Sequence, residues 1–314
     1  MTALVLKSRQ AIIKLPVLLA ILGPTASGKT TLGLEVAQAL GAEIISADSM
    51  QIYRGMDIGT AKPSRAERAL VPHHLIDILN PDQPYNVGQF VTLARSAFAE
   101  LELKKKPALV LGGTHLYIKT LTAGLPPAPA APPELKADLY QRLTQTGVAP
   151  LYEELKRLDP QVAERLHPND QARVTRALEV FLAFGRSIDS YPRCAPAYRT
   201  FFIGIEWPRE ELYQRINQRA IEMVESGLVA ETESLLNAGY KPELPAMGAI
   251  GYKQAVEYLK GQISKEQMIV ELQTQTRRYA KKQLTWCKSL ENIHWVPPGP
   301  LQPELLTQIQ KFYE

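Results

Sequence analysis

Gly23-Pro24-Thr25-Ala26-Ser27-Gly28-Lys29-Thr30 follows the apolar run Val17-Leu18-Leu19-Ala20-Ile21-Leu22 and leads into the helix-compatible stretch Thr31 to Leu40. The octet satisfies the phosphate-loop pattern G-x-x-x-x-G-K-[ST] in strand, loop, helix order. Glycines let the backbone wrap closely, so that successive N–H groups and the start of a helix point at one anion. Lys29 adds a point charge, and Thr30 offers a hydroxyl to Mg2+. The eight residues are therefore expected to bind a di- or triphosphate, as in nucleotide- and ATP-binding proteins. The pattern serves kinases, NTPases and other enzymes alike, so it leaves the reaction open.

Outward from the loop, Gly41 ends the helix and Ala42-Glu43-Ile44-Ile45-Ser46-Ala47 reads as a short buried strand with Asp48 at its carboxyl end. In an open parallel sheet that end faces the ligand crevice, so Asp48 is expected on the strand next to the phosphate loop and in the same site. Residues Gln51 to Pro63 mix turn residues with charge and form a loop able to close over the crevice. His73 and His74 lead into a strand over Leu75 to Leu79, and their pattern favours polar strand residues over a metal site. A helix from about Gly88 to Lys105 follows. Ala108-Leu109-Val110-Leu111 is the next strand, and its exit Gly112-Gly113-Thr114 permits close backbone approach and presents a hydroxyl. No aspartate ends it, as the second NTPase motif would require. A helix from His115 to Ala123 completes this part.

Pro126 to Pro133 then form a stiff, extended linker. Helical patterns at about 134–145, 150–158 and 170–185 follow without a strand, ending in the irregular Arg186 to Arg199, before Thr200 to Glu206 resumes the strand pattern. The fold class is α/β: a P-loop NTPase-like parallel sheet flanked by helices, with an all-helical insertion. The core takes residues 1–125 and 200–314, and the insertion 126–199. Within the insertion Arg173 and Arg176 lie three apart on one helix face, and spacing alone reads them as solvated. Helices at about 209–226, 228–238, 246–260 and 264–290, a strand at 292–296 and a short helix complete the chain. In the helix from Ser264, Arg277, Arg278, Lys281, Lys282 and Lys288 follow Glu271 with no acid between. Such a helix repels itself unless anions lie nearby.

Composition is that of a globular protein, 45% apolar and 22% charged over 314 residues, with a net charge of +4. The surplus lies in the third that holds the phosphate loop and suits a polyanionic partner. Two cysteines, Cys194 and Cys287, without companions at ligand spacing argue for a reducing, cytoplasmic setting and against structural zinc. No apolar run approaches the roughly 20 residues that cross a bilayer. The cations and apolar run before Gly23 resemble a signal peptide, but a first strand explains them better.

Together the residues supply a diphosphate cradle, a Mg2+ donor, a carboxylate able to accept a proton and a basic helix. Phosphoryl transfer and group transfer with diphosphate leaving are both consistent with that set.

The phosphate loop, the stretch Ile45 to Pro63, Gly112-Gly113-Thr114, His167-Pro168-Asn169-Asp170 with Arg176-Ala177-Leu178-Glu179, and Thr276-Arg277 with Gln283-Leu284-Thr285-Trp286 resemble the bacterial tRNA dimethylallyltransferase family, from about Val17 to Trp295. The long second motif is far more specific than the phosphate loop. The resemblance implies transfer of a dimethylallyl group from dimethylallyl diphosphate to N6 of the adenosine 3′ to the anticodon in tRNA. It implies Asp48 as general base, and Gly23, Pro24, Thr25, Ala26, Ser27, Gly28, Lys29 and Thr30, the last with Mg2+, as the diphosphate holder. Arg277 would stabilise the leaving group, and Thr114 would position the acceptor. Ser49, Met50 and Gln51, together with Asp48 and Thr114, would meet the tRNA beside the base. Lys136, Ala172, Arg173, Val174, Thr175 and Arg176 would grip its backbone, which raises Arg173 and Arg176 to phosphate contacts. The partners implied are the tRNA anticodon stem-loop and dimethylallyl diphosphate, with no membrane, for a monomeric cytoplasmic enzyme in which ATP is no substrate. Eukaryotic relatives often append a zinc-finger-like tail, for which two cysteines are too few. Transfer to free adenine nucleotides is the alternative, disfavoured by the insertion. A small-molecule kinase is disfavoured by the missing aspartate, and a non-catalytic RNA-binding module by Asp48 beside the cradle.

Overall fold

The computed structural model describes residues 15–124, 128–191 and 198–313. Cys194 and the linker residues Pro126 and Pro127 lie outside them, as do the cations before Leu15. The chain forms two compact units, one running to Thr122 and resuming at Tyr198, the other between them. These divisions fall beside the expected 125 and 200.

In the first unit, strand β1 (Val17–Leu22) enters the loop and helix α1 (Lys29–Leu40), followed by β2 (Glu43–Ser46), α2 (Arg65–Leu70), β3 (His73–His74), α3 (Val87–Leu103), β4 (Ala108–Gly112) and α4 (His115–Ala123). The second unit holds α5 (Pro133–Thr146), α6 (Val148–Leu158), α7 (Pro160–Arg165) and α8 (Gln171–Phe184), with a 3-10 turn at 188–190. The first unit then resumes with β5 (Arg199–Ile205), α9 (Arg209–Glu225), α10 (Leu228–Asn237), α11 (Tyr252–Leu259), α12 (Lys265–Lys288), β6 (Ile293–Val296) and α13 (Pro303–Tyr313).

The six strands form one sheet in the order β3-β2-β4-β1-β5-β6, every pair parallel. A central parallel strand is covered on both faces, which is why β1 and β4 read as unbroken apolar runs. Period two divides β1 between the layers: Leu18, Ala20 and Leu22 join one buried cluster, while Leu19 and Ile21 join the other, with Leu32, Leu34 and Val36 of α1. The second unit has its own core around Leu139, Leu151, Leu155, Val174 and Leu178.

Four differences from expectation have local causes. Strand β2 is not adjacent to β1, because β4 is inserted between them. The strand expected over 75–79 is replaced by the two-residue β3, since Leu75 and Asp77 take φ of +63° and +56°, outside the strand region. The helix expected from 246 begins at Tyr252, because Gly251 at φ +101° interrupts it. Helix α7 was not anticipated, though Asp159 accepts the N–H of Val162 and Pro160 occupies the first turn, a regular helix start.

Candidate active site

The phosphate loop takes its shape from residues that tolerate left-handed backbone: Ala26 at φ +63° and Gly28 at +91°. Helix α1 starts at Lys29 with no side-chain cap, so its first-turn N–H groups have no partner in their own helix and face the loop's concavity. The loop is braced from outside. The Trp207 indole N–H donates to the Ser27 carbonyl, and Arg215 donates to that of Ala26 while its guanidinium lies 4.6 Å over the Trp207 ring. The Lys29 ammonium is 2.6 Å from the Pro24 carbonyl.

Asp48 reaches the same place although β4 intervenes, and glycine is what permits it. A Cβ on Gly112 would lie 2.3 Å from the Ala47 carbonyl oxygen, so only a bare backbone lets the two strand ends close over one another. Oδ1 of Asp48 accepts the N–H groups of Met50 at 2.8 Å and Gln51 at 3.2 Å, which fixes the carboxylate.

A cavity of about 360 Å³ joins these parts. Its polar lining includes Thr25, Lys29, Thr30, Asp48 and Arg219, and its apolar lining Met50, Ile216, Ala220, Met223, Ile250 and Leu272, with Ile216 packed in one cluster with Ala26 of the loop. One face of α9 supplies Ile216, Arg219, Ala220 and Met223, and one face of α12 supplies Leu272, Thr276, Tyr279 and Gln283, both at helical spacing. A second cavity of about 540 Å³ shares Ala26, Lys29, Thr30 and Arg219 and adds Ser27, Gly28 and Arg215.

Burial dominates the electrostatics. It pushes the Lys29 ammonium down to about 8, helped by Arg219 and opposed by Asp48 and Cys287. It pushes the Asp48 carboxyl up, against the N–H bonds from Met50 and Gln51 and the charges of Lys29 and Arg219. The Tyr279 hydroxyl rises to about 12 through burial and the nearby Asp48, while bonding the Thr114 and Gln283 side chains. The polar lining thus sets two cations against one carboxylate whose proton affinity is raised, a combination that receives an anion and accepts a proton.

Of the residues named from sequence, Thr25, Ala26, Lys29, Thr30, Asp48, Ser49, Met50 and Gln51 line the first cavity, with Ser27 and Gly28 on the second. Gly23 and Pro24 line neither and serve the loop's geometry. Thr114 stands behind the wall: its hydroxyl accepts the Ser49 N–H at 3.2 Å. Arg277 departs from its expected place. Its guanidinium is held by the side chains of Asn217 and Thr274 and lines neither cavity; Arg219 lines both instead. Sequence reading missed Arg219 and Tyr279. The available signal for the first was an arginine bordering the apolar stripe Leu212, Ile216, Ala220, Val224.

The loop from Gln51 to Pro63, expected to be able to close over the crevice, is tied in this structure to α10 and α11 and to its own charges. The Glu231 carboxylate accepts the N–H groups of Asp57, Ile58 and Gly59 and the hydroxyl of Tyr252. Lys62, with its side chain 1% exposed, binds the Tyr53 carbonyl and both Asp57 and Asp77.

In the second unit Lys136, Ala172 and Arg173 are exposed. Val174 is fully buried in that unit's core, so its side chain cannot touch RNA. The Thr175 hydroxyl is buried as well. Arg176 is engaged by Glu179 and by the carbonyls of Ala128 and Pro129, which makes it a brace for the incoming chain.

Among the described residues no three His, Cys, Asp or Glu side chains converge as metal ligands. Thr30 and Asp48 nevertheless offer oxygen donors to one cavity. Mg2+ commonly binds through one or two protein oxygens, the substrate's phosphates and water, so these residues fit it.

The profile of a family described as IPP transferase matches residues 51–290, and that of a second, isopentenyl transferase, matches residues 16–72. A protein named tRNA dimethylallyltransferase from Geobacter sulfurreducens is 44% identical over 94% of this chain and 96% of its own, and one from Desulforudis audaxviator is 45% identical over 90% and 92%. The crystal structure of the tRNA isopentenylpyrophosphate transferase of Bacillus halodurans superposes with a TM-score of 0.70 at 36% identity over 95% of both chains. A eukaryotic dimethylallyltransferase acting on tRNA gives 0.77 at 27% identity over 90% of this chain and 74% of that one.

Proposed function

This chain belongs to the IPP transferase family of prenyltransferases, and on that footing we propose that it moves a dimethylallyl group from dimethylallyl diphosphate to N6 of the adenosine 3′ to the anticodon of tRNA, releasing diphosphate. The observation that carries the reading is one cavity lined both by the diphosphate cradle with Asp48 and by the aliphatic side chains of Ile216, Ala220, Met223 and Leu272. A kinase needs no five-carbon apolar pocket beside its phosphates.

The loop amides, Lys29 and Arg219 hold the diphosphate and stabilise the charge that develops on it as the carbon–oxygen bond breaks. Thr30 would hold Mg2+, which would neutralise phosphate charge when bound, leaving Asp48 free to accept a proton. Ile216, Ala220, Met223 and Leu272 enclose the prenyl chain and exclude water from the developing allylic cation. An exocyclic adenine amine is a poor nucleophile until it sheds a proton, and Asp48, with its proton affinity raised by burial, accepts that proton as the N6–carbon bond forms. Thr114 and Tyr279 hold Ser49 and the cavity wall, positioning the base. Base pairing and stacking in the tRNA must be given up for entry, at a cost of a few kcal/mol. Lys136, Ala172 and Arg173 remain our candidates for its backbone. No described helix is long and apolar enough to cross a membrane.

Incubation with unmodified tRNA and dimethylallyl diphosphate, followed by nucleoside mass spectrometry, is expected to reveal one prenylated adenosine per tRNA. Prenylation of free AMP or ATP in preference to tRNA would move the assignment to the nucleotide-acting alternative.

A further inference from the structure

Gln283 is 3% exposed, and its carboxamide has both polar ends engaged. Oε1 accepts the Thr25 N–H at 2.8 Å, and Nε2 donates to the Gly113 carbonyl at 2.9 Å. The side chain thereby bridges the first half of the phosphate loop and the exit of β4, the strand hydrogen-bonded to β1. Gly113 is fitted to it, since a Cβ there would lie 2.1 Å from Nε2. Tyr279, one turn earlier on α12, supports the same carboxamide.

A phosphate site gains nothing for its ligand by committing one of its own amides to a side chain. The position explains it. In a phosphate loop the inner phosphate is gripped by the amides of the second half and of the first helical turn, here Gly28, Lys29 and Thr30. A longer phosphate chain continues from there along the loop's first half, toward the end of the neighbouring strand. That gap is the one Gln283 fills. An entering third phosphate would find the Thr25 N–H occupied and would face Oε1, an acceptor of the same partial charge as its own oxygens.

We propose that Gln283 is a specificity-determining residue that closes the third-phosphate position, so that the cradle admits a diphosphate donor and rejects triphosphates. The inference rests on reading Gly23 to Thr30 as a diphosphate holder, and it gives that reading a physical basis for excluding ATP, which the same eight-residue pattern binds in other proteins.

The test is calorimetric titration of the full chain with inorganic diphosphate and with inorganic tripolyphosphate, Mg2+ in fixed excess, for the wild type, Gln283→Ala and Gly113→Ala. The second variant displaces Nε2 without altering the glutamine, and circular dichroism checks that each folds. The wild type is expected to prefer diphosphate by about tenfold or more. Both variants should reduce that preference by about tenfold, the effect of one hydrogen bond exchanged. A purely structural role would weaken both anions alike and leave their ratio unchanged, which would overturn the proposal. So would a wild type that binds both anions equally. A wild type that binds neither would remove the cradle itself, and the proposed function would fall with the plug.

Discussion

One wall of the cavity, from Thr25 to Gln51, comes from a single stretch of chain in which the loop, a helix and a strand follow one another. The facing wall takes Ile216 to Met223 from α9, Gly248 to Ile250 from a turn and Leu272 to Gln283 from α12. The first wall is shaped by its own backbone, through positive φ values and uncapped amides. The second is shaped by packing, because each helix contributes only the side of its surface that turns inward. Chemistry that needs backbone groups at fixed spacing sits on the first wall, whereas enclosure and shape come from the second.

If that division holds, the greatest loss should come from the first wall's carboxylate. Asp48→Ala is expected to slow transfer to tRNA by about 10³-fold or more, measured by single turnover, with diphosphate binding within about threefold of wild type. Near-normal turnover would remove Asp48 as the base. The second wall's one cation comes next: Arg219→Ala should lower kcat by about 10²- to 10³-fold, whereas Arg277→Ala, whose guanidinium lies against Asn217 and Thr274, should stay within about tenfold. The reverse order would return the leaving-group role to Arg277.

The pH profile reads both walls at once. Burial raises Asp48, so its base form is lost as pH falls, at a higher pH than for an ordinary aspartate, giving an acid limb in kcat/KM. Burial lowers Lys29 to about 8, so in the free enzyme its charge is lost as pH rises through that value, giving an alkaline limb. Bound diphosphate favours the charged ammonium, so in kcat the alkaline limb should move to higher pH; coincident limbs would contradict the contact between Lys29 and the phosphates. The mildest change tests how the walls are joined. Glu231→Ala leaves three backbone N–H groups and the Tyr252 hydroxyl without their acceptor, and a stability loss of about 2–3 kcal/mol by urea denaturation is expected. KM for tRNA should rise more than kcat falls, because the Gly59 to Ala61 segment is loosened while Asp48 keeps its own bonds to Met50 and Gln51.

The same division explains what was legible in the sequence. Gly23 to Thr30 could be read because its function is a function of spacing along the chain, and Asp48 because strand ends in parallel sheets share a crevice. The order of strands could not be read: nothing local in Ala108 to Gly112 says that it inserts between β1 and β2, and the clue in Gly112 is visible only once the Ala47 carbonyl lies against it. Arg219 escaped notice because a helix face shows its partners only after packing, and the run of cations on α12 drew attention to Arg277 instead. In the second unit Val174 was named by its place in a motif, yet helical periodicity puts it on the buried side of α8, between the exposed Arg173 and the half-buried Thr175 and Arg176. Motif position and side-chain direction are separate facts.

The order β4-β1-β5 has a consequence for how the protein is made. One edge of β1 is covered by β4, about ninety residues downstream, but the other waits for β5 at Arg199. Between them the ribosome must deliver the whole of the second unit, some 75 residues, which at roughly 5–20 residues per second takes about 4–15 s. For that interval the phosphate-loop strand has one edge of unpaired backbone N–H and C=O groups and no second wall. A separate core in the second unit lets the intervening chain fold by itself during the wait instead of pairing with that edge, so the segment proposed to grip the substrate also guards the catalytic strand while it is being synthesised.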